Sequence, residues 1–92
     1  MAATAPFDSA DYLATPEDIA AYLEAAFEDG DSSLITHALG VVALAEGMTE
    51  VARRAGLTRA SLYKALSGDG HPEFATVLKV LRALGLKMTV AA

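Results

Sequence analysis

Between Thr49 and Leu66 the chain sets Arg53, Arg54, Arg59 and Lys64 among small and hydroxylated side chains, with no acid from Arg53 to Lys64. These are the residue types that meet duplex DNA. Arg59 can hold guanine O6 and N7 through two parallel hydrogen bonds, Ala60 can pack on a thymine methyl, and Thr58 or Ser61 can touch a base edge or a phosphate. Tyr63 and Lys64 suit the sugar–phosphate backbone, Ser67 falls on the same outward face, and Arg53 and Arg54 suit phosphates. An ordinary surface intersperses both signs of charge, so the acid-free run carries information.

The net charge of −5 conceals this run. Residues 1–46 hold nine acids and no Lys or Arg, whereas residues 47–92 hold seven bases against Glu50, Asp69 and Glu73. A charge asymmetry of this kind points to two partners of opposite sign, against the simpler reading of two solvated faces. Catalysis has little to work with. Cysteine is absent, His37 and His71 lack a nucleophile–acid pairing or a second metal ligand at a plausible spacing, and Gly68-Asp69-Gly70 is not a phosphate loop. The expectation is a non-enzymatic chain with no cofactor and no metal.

At 92 residues and 53% hydrophobic composition, the chain suits one all-α domain. No basic leader precedes an apolar run, and no stretch approaches about 18 uninterrupted apolar residues, so it reads as cytoplasmic. Residues 1–14 form an arm with Phe7, Tyr12 and Leu13 as apolar anchors, and residues 15–92 form the domain. Thr15 caps a helix opened by Pro16, Glu17 and Asp18, with Ile19, Tyr22, Leu23, Ala26 and Phe27 on its apolar stripe. After Gly30, a second helix carries Leu34, Ile35, Ala38, Leu39, Val42 and Ala45. Val41 and Leu44 make it apolar almost all round, so it is expected to be the most buried.

Thr49 to Ala55 and Thr58 to Leu66 read as two short helices around Gly56-Leu57. Ala52 is small enough for a steep crossing, Gly56 supplies left-handed backbone, and Val51, Ala55, Leu57, Leu62 and Ala65 supply the contacts that hold the angle. This is helix-turn-helix spacing, a geometry that also occurs in helical bundles without DNA. Pro72 and Glu73 start a fifth helix with Phe74, Val77, Leu78, Leu81 and Leu84 inward, stopped by Gly85. Leu86 to Val90 alternates with period two and reads as a short C-terminal strand in need of a pairing partner.

With these elements in place, the chain resembles the addiction-module antidote family, small antitoxins of type II toxin–antitoxin operons with an Xre/Cro-type helix-turn-helix. The resemblance rests on Phe7-Asp8 with Tyr12-Leu13, the acidic run from Glu24 to Asp31, Gly47 to Ala52, Gly56 to Arg59, Leu62 to Ser67, and Pro72 to Leu86. One departure is His71, where similar members often have Asn, a better helix cap. The resemblance implies a five-helix lambda-repressor-like domain, a RelE/ParE-like basic toxin as partner, and autorepression of the operon. Alongside it, Phe7, Asp8, Tyr12, Leu13, Glu24 and Glu28 are the candidate toxin contacts: carboxylates that steer a basic protein, with apolar anchors among them. Tyr22 and Phe27 belong to the core instead. Two-fold dimerisation would supply two recognition helices. Leu86, Met88 and Val90 are candidates for its seam, or for packing on the chain's own last helix. A stand-alone Xre-type regulator and a protein-interaction module that binds no DNA remain rival readings.

Overall fold

The computed structural model describes residues 13–68 and 70–92. Five helices follow in order: α1 (Pro16–Asp29), α2 (Ser32–Glu46), α3 (Met48–Ala55), α4 (Arg59–Leu66) and α5 (Phe74–Ala83). The all-helical expectation is met, and among the described residues there is no strand.

Local chemistry sets the first boundaries. The Thr15 hydroxyl accepts from the Asp18 amide at 3.1 Å while the Asp18 carboxylate accepts from the Thr15 amide at 3.3 Å, a reciprocal capping box that satisfies two orphan donors. Asp31 caps α2 by accepting from the Ser33 amide at 2.9 Å. At Gly47 the chain turns by 108° between α2 and α3. Gly56 then closes α3 at φ 74°, and the Leu57 amide reaches back to the Ala52 carbonyl at 2.9 Å. That backbone conformation costs an L side chain energy, which is why glycine stands there.

The core is a single cluster. Leu39, Leu62, Val42, Val51 and Val80 are fully enclosed, each contributing about 1.5–3 kcal/mol of burial. α1 packs on α2, α2 also contacts α3 and α4, and α3 contacts both α4 and α5. Val51, Ala52 and Ala55 of α3 and Leu62 of α4 are buried as expected, while Leu57 and Ala65 are half-buried. Tyr22 and Phe27 pack against the core from its edge.

Several expectations need correction. Leu13 is only 4% exposed and belongs to the core, so its side chain is not presented to a partner. Phe7, Asp8, Tyr12 and the rest of residues 1–12 lie outside the described residues. α2 is not buried all round: Ala38, Leu39, Val42 and Ala43 face inward, but Leu34 is 41% and Leu44 65% exposed, and Ala45 is also outside. Its neighbours cover one face only.

The fifth helix begins at Phe74, with Glu73 extended at its N-cap and making no side-chain cap bond. Pro72 and His71 precede the helix, so His71 is not the capping position. Phe74 is 66% exposed, because α5 turns Val80, Leu81, Ala83 and Leu84, near its C-terminal end, into the core. The expected C-terminal strand is absent. Leu86 packs against the core, and Leu86 to Thr89 share a cleft with Ala20, Leu23, Glu24 and Phe27 of α1 and with Leu81. An extended segment becomes a strand only when a second one pairs with it, and α1 offers side chains rather than a free backbone edge.

Candidate nucleic-acid interface and acidic face

The amphipathic register of α3 puts Met48, Val51, Ala52 and Ala55 inside and leaves Arg53 and Arg54 exposed. Glu50 is drawn into the same face. Its Oε1 accepts from Arg53 Nε at 3.0 Å, and its Oε2 accepts from Arg53 Nη2 at 2.5 Å and from Arg54 Nε at 2.9 Å. Arg54 also reaches the Ala83 carbonyl through Nη1 at 3.5 Å, linking α3 to α5. Hydrogen bonds from Arg53 and then Arg54 hold the Glu50 carboxyl down at about 2, and the same carboxylate raises Arg53.

Glu50 is the member of this cluster that the sequence reading missed. It was visible there only as one of three acids in the basic half, although its spacing of three and four residues before Arg53 and Arg54 is the spacing of helical ion pairs.

On α4, Arg59, Ala60, Ser61, Tyr63 and Lys64 are all exposed, and Tyr63 is 56% so. Thr58 is exposed too, but its hydroxyl is committed: it accepts from the Ser61 amide at 3.0 Å and donates to Ser61 Oγ at 2.8 Å. Thr58 therefore acts as the N-cap, and of this pair only the Ser61 hydroxyl keeps a proton to donate outward. Ser67 is half-buried and donates to the Lys64 carbonyl at 2.9 Å, which turns it back on its own helix rather than toward a ligand. Arg53, Arg54, Arg59, Ala60, Ser61, Tyr63 and Lys64 are thus brought onto exposed surface around one turn.

The loop after α4 is held close. A Cβ on Gly70 would collide with the Ala65 and Lys64 carbonyls, so that position needs the absence of a side chain. Of the candidate partner contacts on α1, Glu24 and Glu28 are exposed, and Glu24 lines the cleft shared with the C-terminal tail. Met88 is 37% and Val90 98% exposed, whereas Leu86 is spent on the chain's own core. His37 and His71 are exposed, and no group of three potential metal-ligating side chains occurs among the described residues. Nor is any single helix among the described residues long and apolar enough to cross a membrane.

Comparison with known proteins adds a family. An uncharacterized protein of Haemophilus influenzae is 48% identical over 84 residues, covering 91% of this chain and 87% of the relative. No solved structure matches the chain. The profile of a family described as "probable addiction module antidote protein" matches residues 3–92. With the match running through the α3–α4 pair and the acidic α1 alike, the chain belongs to the family of probable addiction module antidote proteins.

Proposed function

We propose that this protein is a cytoplasmic, non-enzymatic antitoxin that binds operator DNA through α3 and α4 as an Xre/Cro-type helix-turn-helix in a lambda-repressor-like domain. In this reading it neutralises a RelE/ParE-like toxin through the acidic face of α1 together with Phe7, Asp8 and Tyr12, and represses its own operon. The observation that carries the DNA side is the set of exposed side chains Arg53, Arg54, Arg59, Ser61, Tyr63 and Lys64 around a tight turn, with no acid between Arg53 and Lys64 in the sequence and Glu50 paired to the two arginines of α3. Arg59 occupies the first turn of α4, the part of a recognition helix that enters a major groove. The antidote family supports a toxin as partner, and the carboxylates of α1 suit a basic one. A two-fold pair would place two such helices on half-sites about one helical turn apart, with exposed Met88 and Val90 available for the seam.

The test is charge reversal at the recognition helix. R59E combined with K64E is expected to abolish binding to DNA from upstream of the gene while leaving capture of the co-expressed toxin unchanged. Wild-type affinity should also fall steeply with salt, since phosphate contacts release counterions. Loss of both activities in the folded variant would mean the faces are misassigned. A chain that binds DNA but captures no small basic protein would be a stand-alone regulator.

A further inference from the structure

The N–H groups with which arginine grips a carboxylate are those with which it grips a phosphate. In the free chain, Arg53 already presents Nε and Nη2 to the two oxygens of Glu50, and Arg54 presents its Nε to one of them. One carboxylate thus occupies the fork of Arg53 and cancels one of two positive charges. The cluster is still open to exchange, because the Arg53 and Arg54 side chains are 70% and 50% exposed. A phosphate oxygen can replace Glu50 on Arg53 by side-chain rotation alone, without disturbing the buried face of α3.

We propose, resting on the DNA-binding reading of α3 and α4, that Glu50 limits DNA affinity: it is an internal carboxylate that competes with DNA phosphate for the Arg53 fork. A duplex of arbitrary sequence meets a fork that is already paired and a negative charge beside it, and gains little. A duplex held in register by Arg59 and Lys64 presents its phosphate to Arg53 at high effective concentration, and displaces Glu50. Displacing Glu50 forfeits its ion pair, so Glu50 lowers operator affinity by the full strength of that pair and bulk affinity by no more than the phosphate contact it blocks, which narrows the gap between the two. Arg54 is the less available member, since its second contact to the Ala83 carbonyl anchors it to α5.

The experiment measures fluorescence anisotropy of labelled duplexes, one of mixed sequence and one from upstream of the gene, with wild type, E50Q, E50A and E50Q/R53Q. Salt is varied from about 50 to about 300 mM KCl, and circular dichroism melts verify folding. E50Q is expected to bind the mixed-sequence duplex about tenfold more tightly near 0.1 M salt, with a log–log salt slope steeper by about 0.9, the value of one additional phosphate contact. Its gain on the upstream duplex should be at least as large, because there the wild type gives up the Glu50 pair to make the contact, and a smaller gain would overturn the competition; R53Q in the same chain should remove both gains. E50A is expected to repeat the result; a gain in E50A without one in E50Q would overturn the charge competition. Equal affinity and slope for wild type and E50Q on mixed-sequence DNA would overturn the proposal. A folded wild-type chain that binds neither duplex would overturn the DNA-binding reading itself.

Discussion

A single carboxylate decides much of the behaviour of the cationic face. Glu50 titrates at about 2 instead of its ordinary 4.5 because ionised oxygens are what Arg53 and Arg54 grip. A carboxyl whose folded value is depressed stabilises the fold fully above its unfolded value and loses that contribution as pH falls through the folded one. The melting-temperature difference between wild type and E50Q should therefore be constant above about pH 5 and shrink to nothing as the pH approaches about 2. A difference independent of pH across that window would show that packing of the Glu50 stem, not its charge, is what α3 uses. At the same scale, Thr58 shows how one hydroxyl serves one purpose. Its oxygen accepts the Ser61 amide and its proton goes to Ser61 Oγ, so the residue the sequence offers as a base contact works as a helix cap.

The helices hold their positions through a few enclosed side chains. α3 and α4 are eight residues each, too short to be stable alone, and they persist because Val51 and Leu62 are buried without residual exposure. Leu62→Ala should cost about 2–5 kcal/mol in denaturant unfolding and weaken DNA binding in proportion to the lost fold, since no side chain of α4 can be placed once its anchor is gone. An unfolding midpoint unchanged by L62A would contradict the enclosure of this residue. Boundaries followed their breakers and caps: Thr15 and the positive-φ glycines at 30 and 56 were legible because each serves a local backbone need. The start of α5 was not legible in the same way. Pro72 suits a first helical position, yet the chain reaches helical geometry only at Phe74, after a loop packed beside Ser32, Ser33 and Thr36 of α2.

For the molecule as a whole, the division of charge is the feature that gives the two proposed surfaces independence. E24K combined with E28K should slow and weaken association with a basic toxin by about tenfold or more at low salt, with the loss fading as salt rises, and leave DNA affinity unchanged. Equal loss of DNA binding in this variant would mean that the faces are coupled. The sequence alone determined the all-helical class, the five segments, the acidic and basic halves and the outward face of α4 carrying Arg59, Ala60, Tyr63 and Lys64, because periodicity, caps and charge are local or additive properties. Tertiary structure decided which apolar side chains had neighbours to cover them. Leu13 and Val80 are enclosed while Leu44 and Phe74 are not, a difference of packing geometry that hydrophobicity cannot express. It also decided the fate of the C-terminal tail, whose alternating pattern becomes a strand only beside another strand. Here the tail meets the side chains of α1 and remains irregular, since its backbone finds no edge to pair with.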